Sequence, residues 1–380
     1  MFQKQRIAVI GAGVIGLNIA WRLAEAGAAV TLVESKIPGS GTTSTSFAWL
    51  NASSKVNYSL AYFELNAEAV RDHAALAVRA GAGFWGRKTG DIEIAVDGTA
   101  VAALGEKVGR LRAMDYAAEW LGPAGLAERE PGTVLPPGAA AAFYAEEGWA
   151  DTGLFVAALQ GFARASGVSL VLHDPALTVL QHGGRASGLR LASGREIAAD
   201  VVVTALGRWT PGFAEALGIH VPLVPPECHG SKAVGLLARV VPAGKAPQRL
   251  LHSPSVNWSP LAEGRALLAS DAGDRTVATD PAPEAAAAAT RRLMEEATRL
   301  NPLFAGARLE HAGIGIRALP SDLNTICGWA EGLPGLYIAV THSGVTLSPL
   351  LGRLVTREVL RGETVSILQH FRPNRFCSVA

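Results

Sequence analysis

Ile7–Ile10 is an unbroken apolar run, the pattern of a parallel strand buried on both faces. After a glycine turn, helical spacing runs from Val14 to Ala26 and stops at Gly27. Ala29 to Glu34 is a second strand, and two parallel strands joined by a helix make a βαβ unit. Pro38 to Ser46 (PGSGTTSTS) breaks the pattern with hydroxyls and glycines and reads as a loop. Helical spacing returns from Tyr58 to Ala80, with Leu60, Phe63, Leu65, Val70 and Leu76 turned inward. Asp91 to Val96 alternates like a half-buried strand, Val101 to Leu121 predicts another helix, and Ala141 to Trp149 a short strand.

A strand-rich pattern follows Asp151. Thr152 to Ser166 reads as a helix and Ser169 to Leu172 as a strand. Leu177–Leu180, Ala186–Leu191 and Glu196–Ile197 form a meander, with turns at Gly183-Gly184 and Ser193-Gly194. Ala199 to Ala205 is a further apolar strand. Lys232–Val240 and Ala266–Ser270 suggest antiparallel pairing, and the Ala-rich stretch Pro281 to Leu300 is a helix on propensity alone. Leu336 to Thr341 is a last strand and Leu347 to Leu360 a last helix. No repeat and no Pro/Ser-rich linker divides the chain, so two interleaved units are expected.

Length agrees: 380 residues exceed what one core usually supports, roughly 250–300. With 34 basic against 33 acidic residues the net charge is +1, which gives no reason to expect nucleic acid or an anionic membrane as partner. A small-molecule substrate is the expectation. No apolar run approaches the roughly 20 residues of a membrane span, and Met1 to Arg6 lead straight into the first strand without a signal-peptide pattern. A cytoplasmic enzyme is expected. Cys228, Cys327 and Cys377 are too far apart for a C-x-x-C pair, and the nine histidines lack ligand spacing, so neither a disulfide framework nor a metal is expected.

The chemistry starts at Gly11, Gly13 and Gly16, a G-x-G-x-x-G between strand and helix. The first glycine permits the tight turn, the second lets a pyrophosphate approach the backbone, and the third allows close packing. Val14 and Ile15 open the helix, whose free N–H groups and partial positive charge suit phosphate. Glu34, with Ser35 after it, ends the second strand where a carboxylate accepts ribose hydroxyls. The acid disfavours the extra phosphate of NADP; it does not separate NAD from FAD.

Four segments together make that separation: VIGAGVIG with VES at Glu34, VVVTALGRW at Val201–Trp209, GIRALPSDLNTICG at Gly315–Gly328, and THSGVTLSPLLG at Thr341–Gly352. With them the chain resembles the D-amino acid oxidase/glycine oxidase/sarcosine oxidase family of FAD-dependent oxidoreductases, from Arg6 to about Gly362. The resemblance implies an α/β fold, α+β in its substrate unit. A Rossmann-like FAD-binding domain of the glutathione reductase/p-hydroxybenzoate hydroxylase type would be interleaved with an antiparallel-sheet substrate domain. The FAD-binding domain would take residues 1–88, 150–222 and 315–380, and the substrate domain 89–149 and 223–314.

It also implies non-covalent FAD and site residues. Thr42, Thr43 and Ser44 would face the ribose and pyrophosphate, with an ordinary polar loop as the alternative. Gly207 and Trp209 would lie where the chain passes the cofactor. His342, Ser343, Gly344, Val345 and Thr346 would lead a helix N-terminus to the flavin, with Ser343 as its cap. Arg317 resembles the arginine that grips a substrate carboxylate, for which a guanidinium fork is suited, and it would also touch the cofactor. Ala318 stands where the family often has proline, and Asn257 where glycine-oxidising members have tyrosine. Trp49, Asn51 and Lys55 are further pocket candidates, while His229 and His252 read as structural. Cys327 does not match the offset of a covalent flavin link and reads as buried.

The implied activity is oxidation of the C–N bond of an amino acid or secondary amine by hydride transfer to flavin N5, then imine hydrolysis. A non-catalytic flavin-binding subunit and an NAD(P)H-dependent monooxygenase are the alternatives.

Overall fold

The computed structural model describes residues 4–81 and 84–376; Cys377 lies outside the described residues. Arg6–Ile10 (β1), Val14–Glu25 (α1) and Ala29–Glu34 (β2) form the expected βαβ unit. β1 and β2 sit inside a six-stranded sheet. Its order is Ile326–Trp329, Leu336–Val340, Val201–Thr204, β1, β2, Ser169–Leu172, and all neighbours are parallel except the first pair. Ile7, Ala8, Val9 and Ile10 are all buried, as a strand covered on both faces requires.

α1 packs against the helix Gly344–Arg361 on one face of that sheet. The approach is close: a Cβ on Gly352 would lie 2.9 Å from the carbonyl oxygen of Asn18. The long helix Leu60–Ala80, N-capped by the Ser59 hydroxyl on Tyr62 N, packs outside the Gly344 helix. Phe63, Leu65 and Leu76 are buried as expected, but Leu60 is 57% exposed, because the first helical residue precedes the packed turns.

The second sheet has eight strands, in the order Arg308–Ile316, Val234–Val241, Ala266–Ala269, Asn257–Pro260, Leu250–His252, Asp91–Ala95, Ala140–Tyr144, Ala118–Leu121. It is antiparallel except where Leu250–His252 runs parallel to Asp91–Ala95. The Pro283–Leu300 helix covers one face, with Leu293 and Ala297 in the cluster that holds Trp258 and Phe304. The expected helix Val101–Leu121 divides instead. Gly98–Ala113 is helical, Asp115 takes a left-handed φ of 53°, and Ala118–Leu121 turns into the sheet edge. Arg308–Ile316, the long first strand, carries no clear alternation in RLEHAGIGI and was not among the expected elements.

Two small sheets complete the framework. The meander Ala176–His182, Arg185–Leu191, Glu196–Ala198 follows the expected turns. The ribbon Trp49–Leu50, Gly148–Ala150, Gly86–Arg87 pairs Trp49 with Trp149 and leads into the 3-10 turn Ser53–Asn57.

Candidate active site

The glycine turn opens a cavity of about 510 Å³ between the two large sheets. Gly11 adopts a φ of +96°, and a Cβ on Gly16 would lie 1.8 Å from the Gly11 carbonyl oxygen, so the third glycine serves packing. Gly13 is the N-cap of α1, with no side-chain cap and no acid in the first turn. The helix's positive end therefore faces the cavity with no charged side chain to neutralise it from its own first turn. Glu34 takes the Ala12 N–H at 2.8 Å on Oε2, and the Ser35 hydroxyl and Lys36 N–H on Oε1. The loop Thr42–Ser46 borders the same space. Its Thr42 hydroxyl donates to the Ile316 carbonyl at 2.9 Å, and the Val14 amide reaches the Thr43 hydroxyl at 3.4 Å.

At the far end the Gly344 helix begins, also without a side-chain cap or an acid in its first turn. Contrary to the expectation from sequence, the Ser343 side chain does not cap it, because its hydroxyl is taken by Tyr62 OH at 2.9 Å. His342 faces the cavity, and burial, followed by the positive Lys55 and Arg317, pushes it down to about 3, so the imidazole is neutral. Two uncapped helix N-termini thus point at one elongated, mostly apolar space with a carboxylate at one end. The donors suit a pyrophosphate, Glu34 suits a ribose, and the Gly344 helix suits the electron-rich edge of an isoalloxazine. These residues fit FAD.

Of the residues named from sequence, Gly11, Gly13, Val14, Ile15, Glu34, Ser35, Thr42, Thr43, Gly207, Trp209, His342, Gly344 and Val345 line this cavity. Ser44 does not: it is exposed, with its hydroxyl on the carbonyls of Ser40 and Gly41, closing the loop on itself. Arg317, Ser343 and Thr346 line an adjoining cavity of about 440 Å³, which shares Thr42, Thr45, Ser46, His342 and Val345 with the first. Pro175, Leu206, Arg208 and Phe213 are lining residues that sequence reasoning missed. Only Leu206 and Arg208 had a signal, lying inside VVVTALGRW.

The second cavity holds Asn51, Lys55, His252, Asn257, Asp274 and Arg317. Arg317 Nη2 donates to Asp274 Oδ2 at 2.6 Å, and Nη1 to the carbonyls of Lys232 and Val234 at 2.9 and 2.8 Å. Nε has no protein partner among the described residues. Gly235 makes room for the fork, since a Cβ there would lie 2.8 Å from Nη2. Asn257 Oδ1 accepts the Ser253 N–H, and Asn51 Oδ1 the Ser54 hydroxyl, so both also close turns. His252 stacks on Trp49 with centroids 3.9 Å apart, and its Nδ1 lies 2.8 Å from the buried Asp91 Oδ1. Burial opposes its charge, but Asp91 outweighs burial and lifts its pKa above the ordinary value. His229 is exposed.

Behind this wall Glu147 is fully buried and accepts four hydrogen bonds, from Ala52 N, Ser53 N, Tyr116 OH and Trp49 Nε1, at 2.7–3.0 Å. It ties the 3-10 turn to the ribbon and so fixes Lys55, whose ammonium burial pushes down to about 8.

This is the architecture of a flavin-dependent oxidoreductase: an elongated cavity behind a glycine turn adjoins a second one, lined by Arg317 and Lys55, at a helix N-terminus. The chain belongs to the DAO family of FAD dependent oxidoreductases, whose model matches residues 6–358. It is similar to the glycine oxidase of Geobacillus kaustophilus (strain HTA426), 26% identical with 99% of this chain and 98% of that one covered. The crystal structure of glycine oxidase from Geobacillus kaustophilus superposes with a TM-score of 0.85 at 24% identity, covering 98% and 99% of the two chains. L-proline dehydrogenase from P. horikoshii gives 0.85 at 20%, covering 99% and 98%. Iminodiacetate oxidase from Chelativorans sp. BNC1 gives 0.80 at 22%, covering 97% and 99%. The protein is an FAD-dependent enzyme of the α/β class implied by its sequence. No helix among the described residues is long and apolar enough to cross a membrane.

Proposed function

We propose that the enzyme oxidises the C–N bond of a small amino acid or secondary amine bearing a carboxylate. The observation that carries this reading is the position of Arg317, in the cavity that adjoins the dinucleotide space at His342 and Val345. The names of the similar proteins, a glycine oxidase, a proline dehydrogenase and an iminodiacetate oxidase, support it.

FAD, when bound, supplies the acceptor for a hydride equivalent from the carbon next to nitrogen, and water then hydrolyses the imine. The chain's own residues position and polarise. Arg317, through Nε and the remaining Nη2 hydrogen, holds the substrate carboxylate and fixes the reacting carbon. The first turn of the Gly344 helix stabilises negative charge at the flavin edge. His342, held neutral by burial, adds no charge there, so the helix turn supplies that stabilisation. An amine that arrives uncharged needs no base. Cys327 is fully buried, with its thiol pushed up to about 12 by burial, and lines neither cavity, in keeping with non-covalent FAD.

The test is anaerobic mixing of the FAD-loaded protein with glycine, sarcosine, D- and L-amino acids and N-carboxyalkyl amines. Loss of the oxidised flavin band with at least one class is expected. An unbleached flavin across the panel, or rapid bleaching by NADPH alone, overturns the reading. Flavin released intact on denaturation checks the non-covalent link.

A further inference from the structure

Lys55 is an unusual side chain for its place. It is 7% exposed, lines the second cavity, and has no hydrogen bond or ion pair from Nζ among the described residues. Two aromatic faces flank it, with Nζ 6.0 Å from the Trp49 ring centroid and 5.8 Å from that of Tyr62. The nearby carboxylates are otherwise engaged. Glu147 is committed to four donors, and Asp274 to Arg317 and the Leu236 amide. Asp271 stands exposed on the rim, with no ion pair to Lys55. A buried ammonium without a hydrogen-bonded partner costs stability, and the two aromatic faces and the charges of Glu147 and Asp271 offset that cost only in part.

The charge of the whole cavity tells the same story. Lys55, Lys232, Arg275 and Arg317 line it against Asp271 and Asp274, an excess of two positive charges. His252 adds none, because Asp91 balances it. An amino acid with a neutral amine brings one negative charge, and an amine bearing two carboxylates brings two.

We propose that Lys55 anchors a second carboxylate, so that the preferred substrate is an amine with two carboxylates, one held by Arg317 and the other by Lys55. The inference rests on the amine-oxidising reading above and narrows its substrate class. The second carboxylate belongs either to the side chain of an acidic amino acid or to an N-carboxyalkyl group, and Lys55 serves both by the same charge-assisted hydrogen bond.

The experiment uses FAD-loaded protein and ligands that have no amine to oxidise. Thiodiacetate differs from (methylthio)acetate by its second carboxylate, and succinate from butyrate likewise. Each is titrated and read by the flavin spectrum. The dicarboxylate of each pair should bind about tenfold tighter or more, as a hydrogen bond to a charged group commonly gives. In Lys55→Met this preference should fall to about twofold or less, and Lys55→Arg should restore most of it. Equal binding of the two members of each pair to the wild-type protein overturns the proposal without any variant. So does a Lys55→Met protein that weakens both members equally, the result for a general or structural role.

Turnover of aspartate and glutamate enantiomers against iminodiacetate and N-carboxymethyl amino acids then separates the two sources. If the amine-oxidising reading itself is wrong, none of these amines bleaches the flavin. If only the Lys55 assignment is wrong, amines bleach it without regard to a second carboxylate.

Discussion

Asp274 is 3% exposed on its side chain, and two donors hold its carboxylate: Arg317 Nη2 on Oδ2 and the Leu236 amide on Oδ1. Burial leaves its pKa raised in spite of them. Arg317 is therefore a structural ion pair on one side and a free donor on the other. Replacing it with Met strands a buried carboxylate, a change that usually costs about 3–5 kcal/mol. Loss of activity in that variant would mix folding with binding. Arg317→Lys separates them, because an ammonium can keep the Asp274 pair but cannot also reach both carbonyls and present Nε. We expect the lysine variant to keep its FAD and melt within a few degrees of wild type, while KM for a carboxylate-bearing amine rises about tenfold or more. Steady-state kinetics beside thermal melting decide it. An unchanged KM would show that Arg317 serves the fold alone.

Among the elements, the Leu60–Ala80 helix packs on the Gly344 helix, whose first turn lies where the two cavities meet. His73 forms the clasp. Its Nε2 lies 2.9 and 3.1 Å from the carbonyls of Val345 and Thr346, and its Nδ1 accepts the Trp85 indole N–H at 3.1 Å. Only the neutral tautomer with hydrogen on Nε2 satisfies all three, and burial pushes the pKa down to about 4. Between about 4 and the ordinary 6.5 the unfolded chain takes up a proton that the folded one refuses. The stabilisation by the neutral ring is thus complete above 6.5 and lost as pH falls toward 4. At about 1.4 kcal/mol per pH unit, that loss is about 3 kcal/mol. The urea midpoint of the FAD-saturated protein should fall across that window, and fall less in His73→Gln. Parallel pH profiles would remove His73 as the cause.

The same junction shows what a sequence discloses. The βαβ unit was legible because glycines, apolar run and terminal acid lie within about thirty residues and obey local rules. The Ser343 clasp was not, since nothing within a few residues reveals that Tyr62 will take its hydroxyl. Lys55 was visible as a pocket candidate, but its isolation depends on Glu147, which is consumed by donors from Trp49, Ala52, Ser53 and Tyr116. Ala118–Leu121 read as helix because Val101 to Leu121 keeps helical spacing, and only the left-handed Asp115 ends it. Long-range pairings decide such points, and they are absent from local periodicity.

At the scale of the molecule, the two large sheets share the loop that borders the first cavity. Thr42 and Thr45 follow the βαβ unit, yet they rest on the edge strand Arg308–Ile316 of the eight-stranded sheet. The Thr42 hydroxyl donates to Ile316, and Gly315 lies so near Thr45 that a Cβ would stand 2.6 Å from its carbonyl oxygen. Backbone meets backbone there, so no flexible side chain can yield. Gly315→Ala must push the loop toward the dinucleotide cavity or part the sheets, although residue 315 is remote from the glycine turn in sequence. We expect FAD affinity to fall about tenfold, equivalent to about 1.4 kcal/mol, with the far-ultraviolet dichroism unchanged. Gly313→Ala is the control. It sits on the same strand, and its Cβ would meet only the His311 ring at 3.1 Å, a side chain free to turn. Flavin fluorescence titration of both variants measures the difference. If the two lose affinity equally, the strand matters for its own pairing with Val234–Val241 and the loop is held by other means; if only Gly315→Ala does, the eight-stranded sheet forms one wall of the cofactor site.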